Sequence, residues 1–355
     1  MSEHSQAGRS VIEGQGAGAE RILVGGPWFE DLSVGQVFEA PAVTLTEGHA
    51  AAYQALFGDR LRLPLDATLS RAVTGRAAPL VHPMLVCNLA IGQSTTVSQR
   101  VRANLFYRGL VHLRPVHIGD TLRTRTEVVA LRQTTPRPDR PATGLVALRM
   151  RTENQDGETV LDFWRCPMIP LSDPGIQTGY SDSFDDIPAE PTFDQLLAAV
   201  PSSWRLDAFR ARVPGPHLED LVPGATYQVE GGDTVTSAPE LVRLTLNLAA
   251  AHVDPRASPY GRRLVYGGHT ISVAAAHAVR ALPGLVTPLA WRSCDHTGPV
   301  FEGDVLTTEV VVEAVHPLEG GHGLADLRAR VRAARAPRWE EEQDVLDWRF
   351  VGLMA

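Results

Sequence analysis

The segment Leu218-Glu-Asp-Leu-Val-Pro-Gly-Ala-Thr-Tyr-Gln228 repeats, with substitutions, the earlier segment Phe29-Glu-Asp-Leu-Ser-Val-Gly-Gln-Val-Phe-Glu39. Three more pairs follow in the same order. Pro115-Val-His-Ile-Gly-Asp-Thr-Leu122 matches Pro299-Val-Phe-Glu-Gly-Asp-Val-Leu306, Gly144-Leu-Val-Ala-Leu-Arg149 matches Gly323-Leu-Ala-Asp-Leu-Arg328, and Val160-Leu-Asp-Phe163 matches Val345-Leu-Asp-Trp348. The separations are 189, 184, 179 and 185 residues. Four ordered matches at nearly constant spacing mark a tandem duplication, and any fold assigned to one copy must hold for both.

Each copy has the same grammar. An opening strand leads to a helix (about 47–57 in the first copy, about 239–252 in the second), then to a second helical stretch (about 83–92; about 268–282). Three β-branched, partly alternating strands close the unit. A Gly-Asp turn, in Ile118-Gly-Asp-Thr121 and Glu302-Gly-Asp-Val305, opens the first of these strands. Strands that follow helices without βαβ alternation predict an antiparallel sheet packed on helices, an α+β fold. A dinucleotide-binding reading fails, because the glycines of Gly14-Gln-Gly-Ala-Gly18 follow no strand. The expected organisation is a disordered leader over 1–26, a first unit over 27–171, a Pro/Ser/Asp-rich linker over 172–216 with one short helix near Thr192–Val200, and a second unit over 217–355.

Composition narrows the function. With 44% hydrophobic and 21% charged residues and no run of 18 apolar residues, the chain reads as soluble, with no membrane partner. A net charge of −8 argues against nucleic acid. All 33 basic residues are arginine, which removes lysine Schiff-base and P-loop chemistry. Cys87, Cys166 and Cys294 are scattered and form no CxxC, fitting buried thiols in a reducing cytoplasm. No cofactor is expected, and the histidine spacing supports no metal site.

The chemistry-bearing stretch is Asn247-Leu-Ala-Ala-Ala-His252-Val-Asp254-Pro255, followed by Tyr266-Gly267-Gly268-His269. Five residues turn an ideal helix by about 500°, leaving Asn247 and His252 some 140° apart, so they converge only if the helix ends or distorts. Asp254 before Pro255 reads as a cap. Gly267 and Gly268 precede an Ala-rich helical run whose first N–H groups are free to face a developing oxyanion. Taken alone, the glycine pair is equally well a turn.

His252-Val-Asp254-Pro255 resembles the H-x-D-P tail of the MaoC-like hydratase 2 motif, whose helix carries an Asp five residues before the His. Trp28-Phe-Glu-Asp31, Thr46-Glu-Gly48, Ala103-Asn-Leu105 with Tyr107, Gly119-Asp-Thr-Leu122, Arg263-Leu-Val-Tyr-Gly-Gly-His269 and Val345-Leu-Asp347 extend the likeness over nearly the whole chain beyond the leader. They resemble the mesaconyl-CoA hydratase family, also called 2-methylfumaryl-CoA hydratase or β-methylmalyl-CoA dehydratase, in which an Asn likewise stands five residues before the His. The resemblance implies a double hotdog, two curved antiparallel sheets each wrapped on a long helix. It also implies hydro-lyase activity on a short branched enoyl-CoA, with an acyl-CoA thioester as partner and a dimer or other homo-oligomer as an open possibility.

Alignment of the copies places Asp59 and Pro64 where Asn247 and His252 stand, and Val81-His82-Pro83-Met84 against Val265-Tyr266-Gly267-Gly268. Proline offers neither a proton-transfer group nor an N–H, so the first copy is expected to be non-catalytic, with Asp59 a solvated helix-end carboxylate. The expected roles are His252 as base, Asn247 as holder of water or imidazole, and Gly267 or Gly268 as oxyanion donor. Tyr266, Arg262, Arg263, Arg102 and Asn104 are expected to bind substrate or coenzyme A, and Arg100 is a weaker candidate. His269 and the Asp295-His296 pair read as structural. Three other functions compete: a general enoyl-CoA hydratase 2, a hotdog thioesterase, and a non-catalytic acyl-CoA binding protein.

Overall fold

A computed structural model of the chain describes residues 9–12, 21–135 and 141–355. Its strands are β1 (Arg9–Ile12), β2 (Arg21–Val24), β3 (Val37–Glu39), β4 (Val43–Thr44), β5 (Ala103–Arg108), β6 (Thr121–Gln133), β7 (Thr143–Glu153), β8 (Thr159–Pro170), β9 (Thr226–Gln228), β10 (Asp233–Thr234), β11 (Leu285–Asp295), β12 (Val305–Pro317), β13 (Gly323–Arg335) and β14 (Arg338–Met354). Its helices are α1 (Glu47–Phe57), α2 (Arg62–Leu65), α3 (Ala67–Thr74), α4 (Pro83–Gln93), α5 (Phe193–Ala199), α6 (Leu206–Arg210), α7 (Ala238–Leu244) and α8 (Gly267–Ala281).

Two antiparallel sheets of the same topology result. The first runs β3-β6-β7-β8-β5 with β4 also on β6, and the second runs β10-β12-β13-β14-β11 with β9 also on β12. The internal repeat is visible in register. Arg149 faces Trp164 and forms an ion pair with Asp162; in the second sheet Arg328 faces Arg349 and forms an ion pair with Asp347. Four strands, not the expected three, follow the second helix of each copy. The extra ones are β5, which is only six residues long, and β11, which hides the strand period because it is buried on both faces and bulged on either side of Pro288.

These extra strands join the copies. The His112 N–H donates to the Leu289 carbonyl at 2.8 Å and the Trp291 N–H to the Leu110 carbonyl at 2.9 Å, so the two sheets meet edge to edge. Behind them the wrapped helices α4 and α8 touch. Asn88 donates through Nδ2 to Ser272 Oγ at 2.9 Å, and Ser272 Oγ donates to the Gly268 carbonyl at 2.8 Å. One apolar core runs through both copies, from Tyr53, Phe57 and Met84 to Ile271, Trp291 and Trp348.

Three sequence expectations change. The helix expected over 239–252 stops at Leu244. The connection between the copies holds α6 as well as the expected helix at α5, because Leu206 and Phe209 are buried in a second core cluster beside Leu196; one helical turn is too short to show a period. In the leader, β1 and β2 pair as an antiparallel ribbon instead of lacking structure, with Val11 opposite Ile22 and Ser10 opposite Leu23. Residues 1–8 and 13–20 of that leader lie outside the described residues. No helix among the described residues is long and apolar enough to cross a membrane.

Gly92 on α4 packs against the kink that ends α7: a Cβ there would lie 1.9 Å from the Thr245 carbonyl oxygen. Backbone cannot yield as a flexible side chain does. Gly92→Ala should therefore destabilise the protein by about 1–3 kcal/mol through overpacking, read as a lowered thermal midpoint; an unchanged midpoint would show that the copies do not depend on this contact.

Candidate active site

The site forms where the second copy's chain abandons helical geometry. Thr245 turns its hydroxyl back onto the Leu241 carbonyl at 2.7 Å, and Leu246 takes φ +56, the left-handed region that a side-chain-bearing residue rarely enters. The irregular segment that follows is held by the first copy. Thr95 Oγ1 accepts the Leu248 N–H at 2.7 Å, and the Gln99 carbonyl accepts the Ala250 N–H at 2.9 Å. A 3-10 turn over Ala250–His252 then presents the imidazole, and Asp254 caps a second turn through the Arg256 N–H. The break removes the angular obstacle that a continuous helix would impose: Asn247 and His252 both line one cavity of about 310 Å³.

His252 has a defined tautomer. Its Nδ1 lies 2.8 Å from the Leu264 carbonyl, which can only accept, so Nδ1 carries the proton and Nε2 keeps its lone pair. Burial lowers its pKa below the usual histidine value, opposed in part by the Leu264 hydrogen bond. Asn247 is buried and spends Oδ1 on the Ala249 N–H at 2.9 Å, leaving the Nδ2 amide as a donor. Tyr266 stands at the residue before α8 and tilts against His252 with ring centroids 5.6 Å apart.

Gly267 is the first residue of α8 and lines the cavity. A Cβ at this position would lie 2.4 Å from His296 Nε2, so glycine lets a second imidazole approach the helix start. His296 opens to the cavity yet sits deep enough that burial, with the neighbouring His252, lowers its pKa to about 4. Both rings are thus neutral at pH 7.

Other expected site residues divide. Tyr266, Arg102 and Asn104 line the cavity. Gly268 does not: it is a packing glycine whose Cβ would strike Asn88 Oδ1 at 1.9 Å and the Tyr266 ring at 2.6 Å. Arg262 lies 3.5 Å over the Phe301 ring and Arg263 pairs with Glu302, both away from the cavity lining. Arg100 is likewise engaged elsewhere, stacked 4.0 Å over Trp28. His269 is buried edge-on against Phe57, as its structural reading expects. Asp295 lies exposed at the end of β11, outside the lining.

Sequence reasoning passed over Arg165 and Thr95 and read His296 as structural, although all three line the cavity, and it gave Tyr107 only as part of a family match. The repeat held a signal for Arg165, which stands two residues past the Val160–Phe163 match where the second copy has Phe350. Among the described residues no carboxylate lines the cavity, and no group of three His, Cys, Asp or Glu is placed to hold a metal ion.

In the first copy the equivalent place is closed. His82 Nδ1 accepts the Met84 N–H at 3.1 Å, so Nε2 carries the proton and donates to Asp59 Oδ2 at 3.0 Å. Asp59 also accepts the Leu61 N–H at 2.8 Å and is 1% exposed, which corrects its reading as a solvated carboxylate. Pro64 lies within α2 and Pro83 heads α4. The hollow beside Pro83 and His112 measures about 30 Å³.

Comparison with known proteins fits this arrangement. The profile described as mesaconyl-CoA hydratase matches residues 19–282. The chain belongs to the mesaconyl-CoA hydratase family. It is 30% identical to the β-methylmalyl-CoA dehydratase of Chloroflexus aurantiacus, over 87% of this chain and 88% of that protein. It is 31% identical to the mesaconyl-CoA hydratase of Cereibacter sphaeroides, over 85% and 88%. Among solved structures, a conserved hypothetical double-hotdog protein of Mycobacterium tuberculosis is 49% identical, with a TM-score of 0.84 over 93% of this chain and 99% of that one. A putative MaoC domain dehydratase from Chloroflexus aurantiacus is 28% identical, with a TM-score of 0.81 over 93% and 97%. Membership in the mesaconyl-CoA hydratase family makes the chain a hydro-lyase on a tandem hotdog scaffold.

Because burial outweighs the Leu264 hydrogen bond, His252 should stay neutral to below pH 6.5. Histidine-selective NMR titration, with the resonance assigned by its loss in His252→Gln, should place its midpoint under 6.5. A midpoint above 6.5 would mean that the charged form is the favoured one.

Proposed function

We propose that the protein adds or removes water across the 2,3 double bond of a short branched enoyl-CoA, with mesaconyl-CoA and β-methylmalyl-CoA as the pair the family likeness favours. The observation that carries this reading is the free Nε2 of His252 in one cavity with the Gly267 helix start. In hydration Nε2 takes a proton from water as its oxygen bonds Cβ. Electron density then moves to the thioester oxygen, where the unpaired Gly267 N–H faces the developing negative charge. The imidazolium returns its proton to Cα, so that H and OH are both accounted for. Asn247 holds the water through its Nδ2 amide. Dehydration runs the same steps backward.

A hotdog thioesterase typically uses a carboxylate as base or nucleophile, and the lining contains none among the described residues. The first copy serves as scaffold and cavity wall, since its imidazole and its first free helix N–H are already bonded to each other. Buried free thiols at Cys87, Cys166 and Cys294 suit a reducing cytoplasm.

Incubation with mesaconyl-CoA should consume the enoyl absorbance without releasing thiol, and His252→Ala should lower kcat by roughly 10²–10⁴-fold. Thiol release would indicate hydrolysis, and binding without turnover across a panel of enoyl thioesters would favour an acyl-CoA binding protein. Asp59→Asn should leave kcat within a few-fold while lowering stability by about 1–3 kcal/mol, because His82 loses its buried acceptor. A large loss of kcat with stability intact would place chemistry in the first copy.

A further inference from the structure

The second copy's cavity contains a charge that the hydration chemistry does not use. Arg165 on β8 of the first copy lines it and is 3% exposed, the one buried arginine among the described residues. Its Nη2 donates to Ser98 Oγ at 2.5 Å and to the Ser94 carbonyl at 3.3 Å. Nε is buried without a partner, Nη1 forms no bond with the described residues, and no carboxylate among the described residues pairs with the group. An uncompensated guanidinium in the interior is costly and is normally neutralised by an anion.

Strand register shows that this charge is peculiar to one copy. Leu148 faces Arg165 across β7 and β8, and the corresponding pair across β13 and β14 is Leu327 and Phe350. Phe350 stacks on Trp348 in the core at 4.0 Å. Arg165 is therefore not required by the sheet itself. The other cation of the lining, Arg102, is exposed, suiting the cavity mouth rather than its floor.

We propose that Arg165, supplied by the first copy, is the residue that sets acyl selectivity in this cavity by holding the free carboxylate of the substrate. With Nη2 spent on Ser98 and Ser94, Nη1 is the donor that the guanidinium offers to a carboxylate oxygen, while the neutral Tyr107 and Tyr266 phenols share the cavity wall. A substrate ending in methyl would leave the cation unpaired. The inference rests on the hydratase reading, which named the acyl group by likeness; Arg165 supplies the physical reason for a second carboxylate.

The test compares mesaconyl-CoA with tiglyl-CoA, which has the same branched skeleton with methyl in place of the carboxylate. Arg165→Met should lower kcat/KM for mesaconyl-CoA by roughly 100-fold or more and leave tiglyl-CoA unchanged or improved, with Arg165→Lys in between. Equal loss on both substrates, or no loss on mesaconyl-CoA, overturns the assignment. A second measurement needs neither turnover nor a variant. The unmodified protein should bind methylsuccinyl-CoA at least 10-fold more tightly than 2-methylbutyryl-CoA, and equal affinities overturn the subsite even where hydration is observed. Preference without turnover of any enoyl thioester would instead overturn the hydratase reading alone.

Discussion

The site depends on one break in a helix. Had α7 continued past Leu244, Asn247 and His252 would have pointed to different sides of it. The left-handed Leu246 costs of the order of 1–2 kcal/mol, and the cost is met from outside the second copy: Thr95 and Gln99 of the first copy take the N–H groups of Leu248 and Ala250. The geometry of His252 is thus a property of the pair of hotdogs. Gly92, which admits the Thr245 carbonyl at the helix surface, belongs to the same arrangement.

The duplication gave two starting sites, and the structure shows how differently they ended. In the first copy, an imidazole at the helix start caps the helix with one nitrogen and grips Asp59 with the other, filling the space with protein bonds. In the second, a tyrosine stands at that position, the glycine that follows leaves room for His296, and His252 lines the same cavity beside the tyrosine. Exchange also runs across the join, since β8 places Arg165 in the cavity at the register where β14 keeps an aromatic residue in the core.

The repeat made the architecture legible. Four matched segments were enough to require two equivalent sheets, and the ion pairs Arg149–Asp162 and Arg328–Asp347 occupy equivalent registers in them. The extra strand β11 escaped because burial on both faces and bulges erase the alternation that betrays a half-exposed strand, and β5 because its six residues are interrupted by a register shift between Asn104 and Tyr107. Within the site, His252 and Asn247 were legible because their motif is local. Arg165, Thr95 and His296 are remote in sequence from that motif, and nothing in composition or spacing says that β8 faces the other copy's cavity. Gly268 misled for a related reason: a helix-start glycine can serve a ligand or a neighbouring helix, and only the contact with Asn88 distinguishes them.

The central claim is that one cavity, walled by both copies, brings a thioester between His252 and the start of α8. A crystal structure with methylsuccinyl-CoA, which lacks the double bond and cannot react, tests it most directly. The thioester oxygen is expected within about 3 Å of the Gly267 nitrogen, with Cβ facing His252 Nε2. A thioester seated away from Gly267, or a His252 that turns Nε2 into a bond with the protein, would contradict it.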